Sequence, residues 1–212
     1  MERITLTTKD GLNIVGNWSA PESAKSSVLL LHMWPATKES WTPFQALLDE
    51  RGIASLAIDL RGHGESGGEQ KQDASEMQQD VDAALAWMGD KGTPPHGIAG
   101  ASIGANLALR AMAKNPELIA GVLLSPGLTY HGVPTLDAVE KLKDTQSLFF
   151  MASEGDDQES ADAVYMLMKH ARIQDKNSEL LQNAGHGTNM FESHPKTMVM
   201  CANWMADIVN DL

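Results

Sequence analysis

Gly100-Ala101-Ser102-Ile103-Gly104 lies between a short apolar run, Gly97-Ile98-Ala99, and a helical stretch from Ala105 to Lys114. A chain that passes from strand to helix over one serine must turn sharply. The turn closes only where flanking side chains are nearly absent, because strand and helix approach closely. Gly100, Ala101, Gly104 and Ala105 meet that demand. A serine at such a turn adopts a strained backbone, and its hydroxyl stands clear of the sheet. The pattern therefore constrains the fold and the chemistry together.

The rest of the chain supplies a scaffold for that turn. Ile4 and Leu6 alternate with Thr5 and Thr7, and after Lys9-Asp10-Gly11 the residues Leu12, Ile14 and Trp18 alternate again, which predicts an antiparallel hairpin at a sheet edge. Val28-Leu29-Leu30-Leu31 is a continuous apolar run, as expected of a strand buried on both faces. Strands are then expected at Ile53 to Leu60, Ile119 to Leu124, Ser147 to Ala152 and Glu179 to Gln182. Helical faces separate them: Trp41, Phe44, Leu47 and Leu48; Met77, Val81, Leu85 and Met88; Ala161, Val164 and Met168. Asp80-Val81-Asp82 and Met168-Lys169-His170 read as solvated helix faces. The alternation predicts an α/β fold: a three-layer, doubly wound, mostly parallel sheet with an N-terminal antiparallel hairpin. No repeat or long linker divides the 212 residues, so one domain spanning residues 1–212 is expected.

Composition bounds the partners. A net charge of −12 argues against nucleic acid and anionic membrane surfaces, both of which would repel the chain. No run approaches the ~18 apolar residues of a membrane span. Met1-Glu2-Arg3-Ile4-Thr5 runs straight into a strand-like pattern with no visible secretory leader, and the single cysteine excludes an intrachain disulfide. A cytoplasmic location is the expectation. Cys201 lies on the apolar stripe Met198, Cys201, Met205, Ile208, Val209 and reads as a buried, inert thiol.

A serine hydroxyl needs a base within hydrogen-bond reach, and the base needs an anion to fix its tautomer. In a parallel sheet all three come from loops at the carboxyl ends of strands. His186, in Asn183-Ala184-Gly185-His186-Gly187-Thr188, follows the last strand and is flanked by glycines, which makes it the expected base. His170 reads as helix surface, and His194 as a helix entry before Pro195. The acid should follow the strand ending at Ala152, in Ser153-Glu154-Gly155-Asp156-Asp157. Asp156 is favoured because it comes directly after the glycine that frees the turn. Asp157 is held in reserve as a helix cap, with Glu154 third.

The order Ser102, Asp156, His186 on this scaffold resembles the α/β-hydrolase superfamily. Leu30-Leu31-His32 with Met33-Trp34-Pro35 is similar to its His-Gly-x segment, and Asp59-Leu60-Arg61-Gly62-His63-Gly64-Glu65-Ser66 to its D-x-R-G-x-G-x-S loop. Met33 stands where the family usually has glycine. The segment from Pro126 to Thr145, where many members carry a lid, has room for about one short helix, so no lid domain is expected. The chain most resembles small bacterial enzymes related to dienelactone hydrolases, which carry cysteine rather than serine at the turn. One oxyanion-hole N–H is expected from Ile103, just after the serine at a helix start; by the resemblance the second comes from Trp34, with Met33 the alternative donor if the loop is displaced. Met33 and Tyr130, with His131 beside it at a strand end, are expected to line the substrate pocket, and by the resemblance Asp59, Arg61 and His63 fix a loop.

The first functional expectation is a serine hydrolase that cleaves a small carboxylic ester or thioester through an acyl-enzyme. A second is a cofactor-free perhydrolase or peroxidase with the same triad, suggested by Trp34-Pro35. A third is a catalytically silent binding module, against which an intact triad argues. No metal-ligand spacing or nucleotide fingerprint is present, so neither metal nor cofactor is expected.

Overall fold

The structure, a computed structural model, describes residues 1–211. It opens with the expected hairpin, β1 (Glu2–Thr7) against β2 (Asn13–Ser19). There follow β3 (Ser27–Leu31), α1 (Thr42–Asp49), β4 (Ala54–Ile58) and α2 (Gln78–Gly89). Next come β5 (Pro95–Ala101), α3 (Ile103–Lys114) and β6 (Ala120–Leu124). A two-stranded hairpin, β7 (Thr129–Tyr130) and β8 (Val133–Pro134), leads to the short α4 (Leu136–Val139). The chain closes with β9 (Ser147–Glu154), α5 (Gln158–His170), β10 (Lys176–Gln182), α6 (Asn189–Ser193) and α7 (Pro195–Val209).

Eight strands form one sheet in the order β1-β2-β4-β3-β5-β6-β9-β10. β2 pairs antiparallel with both β1 and β4, and every pairing from β4 to β10 is parallel. The continuous apolar runs split between two faces because side chains alternate along a strand. Leu29 and Leu31 enter a core with α2, α3 and α5, while Val28 and Leu30 enter one with α1 and α7. Each buried leucine contributes about 1.5–3 kcal/mol relative to exposure. The three-layer, doubly wound architecture is the one expected.

Three local expectations needed correction. β10 begins at Lys176 rather than Glu179, because this edge strand is mostly exposed and its first residues carry no apolar signal. The stretch from Pro126 to Thr145 holds the β7–β8 hairpin as well as a short helix. Asp80 is fully buried instead of solvated: its Oδ1 accepts from Arg61 Nε at 2.9 Å and its Oδ2 from the Arg61 amide at 2.9 Å. Arg61 thereby ties the loop after β4 to α2. Among the described residues, no helix is long and apolar enough to cross a membrane.

The tightest approach in the fold lies under the serine turn. A Cβ on Gly104 would sit 2.3 Å from the Leu31 carbonyl oxygen, and one on Gly100 would sit 2.2 Å from that of Gly104. Backbone cannot swing aside as a side chain can. Gly104→Ala is therefore expected to lose about 2 kcal/mol or more through overpacking. Gly89→Ala, whose Cβ would meet nothing within 4 Å, should instead be neutral or gain up to about 1 kcal/mol in helix propensity. Urea unfolding followed by circular dichroism checks the pair. A Gly104→Ala protein as stable as the parent would contradict the close approach.

Candidate active site

Ser102 joins β5 to α3 with φ 53° and ψ −119°, a conformation that costs a non-glycine residue about 1–3 kcal/mol. Its neighbours hold it there. The Ser102 amide donates to Leu124 O at 2.8 Å, and Ser102 O accepts from the Ala105 and Asn106 amides at 2.9 and 3.2 Å. The side chain is left at the carboxyl end of β5. Ile103 is the first residue of α3, so its N–H has no acceptor within the helix.

The loop after β3 supplies a second candidate donor. The Leu60 amide donates to His32 Nε2 at 3.0 Å, which makes that nitrogen an acceptor and puts the ring proton on Nδ1. Nδ1 then donates to the Met33 carbonyl at 2.9 Å, and the Ala36 amide donates to the same oxygen at 2.8 Å. With that carbonyl pinned toward His32, the trans Met33–Trp34 peptide turns the Trp34 N–H the opposite way. The Trp34 indole packs edge-on to His63, ring centroids 4.6 Å apart, and stacks on His131 at 5.0 Å. His63 itself donates from Nδ1 to the Arg61 carbonyl at 3.1 Å and packs against Trp34, a loop-fixing place. Asp59 anchors the same loop. Its carboxylate accepts from the Lys38 amide and the Lys38 ammonium, each at 2.8 Å, and from the Glu65 amide at 2.9 Å. Burial works against the Lys38 charge, yet the hydrogen bonds it donates to Asp59, Glu39 and Glu65 hold its pKa above the usual lysine value.

His186 reaches the serine turn through glycine. A Cβ on Gly187 would lie 3.3 Å from Ala101 Cβ and 2.6 Å from Met33 Sδ, so the loop after β10 lies directly against the end of β5. The Gly187 amide also donates to Ser125 Oγ, at the end of β6, at 2.9 Å. The residue before Gly187 is His186, and the residue after Ala101 is Ser102. Among the described residues Ser102 Oγ makes no hydrogen bond; such contacts commonly tighten only when substrate binds.

The carboxylate beside the imidazole is not the one expected. Asp157, not Asp156, faces the imidazole, with Asp157 Oδ2 2.8 Å from His186 Nδ1. Its other oxygen accepts from Ser160 Oγ at 2.9 Å. Asp156 turns the other way: Oδ1 accepts from Ser153 Oγ, and Oδ2 accepts from the Gly185 amide at 2.9 Å. The Ser153 bond, helped by Gly185, holds the Asp156 carboxyl below its ordinary pKa. Asp156 thus clamps the loop that carries His186 without touching the ring. Asp157 does stand at the N-cap of α5, but its side chain makes no hydrogen bond to the helix backbone. Glu154 points elsewhere, accepting from Tyr165 Oη at 3.1 Å.

Tyr130 lies beside His186 with ring centroids 6.2 Å apart, and Met33 packs on the base loop through Gly187 and Thr188. Ser160 and Asn106 are the polar residues at the site that sequence reasoning missed. Both sit inside helical runs that look like ordinary amphipathic surface. A cavity of about 250 Å³ opens beside Met33 and Thr188, walled by Pro43, Phe191 and Met198. A larger one, about 570 Å³, lies at the amino ends of β5 and β6 near Pro95 and Leu118, the opposite edge of the sheet from Ser102. Among the described residues no group of three His, Cys, Asp or Glu side chains could hold a metal.

His32 gives the site a pH signature. Burial, only partly opposed by the Met33 carbonyl, pushes its pKa from 6.5 down to about 4. The folded protein thus holds His32 neutral, whereas the unfolded chain takes up a proton near its ordinary value. The stability it contributes is complete above pH 6.5 and is lost as pH falls toward 4, by up to about 3 kcal/mol. His32→Gln should flatten the stability–pH curve across that window in urea titrations. An unchanged slope would contradict the neutral assignment.

The family model described as "Serine aminopeptidase, S33" matches residues 22–152. An esterase of Pyrococcus furiosus superposes with a TM-score of 0.84 at 18% identity, covering 99% of this chain and 90% of that one. A dienelactone hydrolase of Anabaena variabilis gives 0.78 at 18% identity, covering 97% and 94%. A putative α/β hydrolase of Agrobacterium tumefaciens gives 0.78 at 18% identity, covering 99% and 97%. At that identity these likenesses establish the fold. No curated protein matches the chain. The family model spans more than half of the residues, so the chain belongs to this hydrolase family and, with it, to the α/β-hydrolase superfamily.

Proposed function

We propose that this family member is a serine hydrolase that cleaves a small carboxylic ester or thioester through an acyl-enzyme. One observation carries the reading above the others. An aspartate–imidazole pair stands on two loops that converge beside a serine held at positive φ. With Asp157 accepting from Nδ1, His186 presents Nε2 as a free base.

Each step follows from that arrangement. Substrate enters with its carbonyl oxygen between the Ile103 and Trp34 N–H groups. His186 Nε2 takes the Ser102 proton as Oγ forms a bond to the carbonyl carbon. Negative charge moves to the oxygen, where preorganised donors stabilise it more than they stabilise the ground state. The imidazolium, stabilised by Asp157, returns its proton to the leaving alcohol or thiol as the C–O or C–S bond breaks. Water, deprotonated by the same nitrogen, then attacks the acyl-enzyme and frees Ser102. The short β7–β8 hairpin leaves the serine end of the sheet without a lid domain. An open site suits small substrates, because each buried methylene adds only about 0.8 kcal/mol. The family description names an aminopeptidase, and the same triad also attacks amides. An aminoacyl anilide is therefore the control substrate beside p-nitrophenyl acetate.

The two aspartates separate this mechanism from a general role for the loop. Asp157→Asn should lower kcat on the order of 10⁴-fold, because an amide there favours the wrong imidazole tautomer. Asp156→Asn should cost at most about tenfold, as expected from loosening a loop hydrogen bond. Steady-state kinetics on the ester decide it. The reverse ranking, or two small equal effects, would overturn Asp157 as the acid.

A further inference from the structure

The β7–β8 hairpin occupies the stretch where a lid would stand, and its Tyr130 reaches the Ser160 hydroxyl that bonds Asp157. We propose that Tyr130 and Ser160 are positioning residues: Tyr130, delivered by the hairpin, orients the Ser160 hydroxyl, which holds Asp157 turned toward His186 and away from the end of α5. This deepens the proposed function and rests on it.

Asp157 is the N-cap of an ordinary helix, and a carboxylate there would normally accept from free amides of the first turn. It does not do so here. The Ser160 and Ala161 amides are already taken by the Asp157 backbone carbonyl at 3.1 and 3.2 Å. One side-chain oxygen is occupied by Ser160 Oγ at 2.9 Å, and the other faces His186 Nδ1 at 2.8 Å. Ser160 is fully buried, so its hydroxyl has no water to turn to.

The direction of the hydrogen bonds follows from counting protons. A carboxylate only accepts, so the single Ser160 proton goes to Asp157. Tyr130 Oη lies 2.8 Å from Ser160 Oγ and must then be the donor. Burial, with Asp157 and Glu159 nearby, pushes the Tyr130 pKa above its ordinary value, which keeps that proton in place. The order is Tyr130 to Ser160 to Asp157, with His186 donating from the other side.

Tyr130 is in turn fixed from the serine side of the site. Asn106, fully buried on the helix that Ser102 begins, donates to Val133 O at 2.8 Å and accepts from the Gly127 amide at 3.0 Å. Thr135 Oγ1 donates to the Gly127 carbonyl at 2.8 Å and draws the hairpin's base together. Gly127 leaves room for the ring, since a Cβ there would lie 2.6 Å from Tyr130 Cζ. Through this hairpin the nucleophile's helix sets the orientation of the acid.

Ser160→Ala frees Asp157 Oδ1, and the carboxylate can then swing to the unpaired amides at the start of α5. Its kcat on p-nitrophenyl acetate should fall roughly 10- to 100-fold, as for losing a hydrogen bond to a charged group, with KM within about twofold. Tyr130→Phe should cost less, roughly 3- to 10-fold, and should add nothing in the Ser160→Ala background. Because Tyr130→Phe removes one oxygen only, it keeps the test alive if Ser160→Ala fails to fold. The His186 Nδ1–H resonance, recorded at low temperature on nitrogen-15-labelled protein, should move upfield in both variants. That readout needs no turnover. Failure of a fluorophosphonate to label wild-type Ser102 would defeat the hydrolase reading while the resonance still tests the positioning. Wild-type kcat and an unmoved resonance in both variants, or fully additive losses in the double variant, would overturn the proposal.

Discussion

Leu31 and Gly104 meet backbone to backbone, with room for no side chain between them, and the site depends on that contact. It lets α3 leave β5 hard against the end of β3. A helix starting one residue later, or further away, would relieve Ser102 of its positive φ and remove Ile103 N–H from the serine's side. The same contact brings the loop after β3, with Trp34, to the mouth of the turn. The large parallel sheet is what allows it. Fully buried strands on either side of β5 give the turn a rigid frame, so strain of about 1–3 kcal/mol is held rather than relaxed.

Around this frame the loops are fixed by buried polar groups rather than by apolar packing. Lys38 and Asp59 form an ion pair whose side chains are 2% and 0% exposed, and Arg61 and Asp80 form a second beneath the same loop. Replacing one partner of such a pair leaves a buried charge uncompensated, at a cost of about 3–5 kcal/mol. Both pairs brace the loop after β4, whose Leu60 amide donates to His32 Nε2 and whose His63 ring packs against Trp34, so the ions act on the shape of the loop after β3. On the far side an exposed group does the equivalent work: the Asp156 carboxylate accepts from the Gly185 amide and holds the loop after β10.

Much of this was legible before any coordinates. The serine turn at Ser102 and the glycine-flanked loop of His186 follow from small residues at a strand end, a signal written in adjacent positions, and the structure brings both to the same end of the sheet. The α/β alternation follows from apolar periodicity, which the sheet preserved. Which carboxylate faces His186 was not legible in that way. Asp156 and Asp157 are neighbours with the same chemistry, and which one faces His186 depends on the direction in which Gly155, at φ 91°, launches the chain. Ser153 and the Gly185 amide claim the first, leaving the second for the imidazole. Asp80 misled for a related reason. Set among Gln78, Gln79 and Asp82 it reads as one more polar helix position, and only Arg61, brought from a distant loop, shows that its face is inward. The hairpin after β6 is two residues per strand, too short for alternation to register.

The account stands or falls on a covalent bond at Ser102. Rapid acid quench during turnover of p-nitrophenyl acetate, followed by intact-mass measurement and peptide mapping, looks for it directly. One acetyl group should accumulate on the peptide containing Ser102 and be absent from Ser102→Ala. Hydrolysis at full rate with no acetyl adduct on the wild type, or an adduct mapped to any other residue, would contradict the acyl-enzyme mechanism.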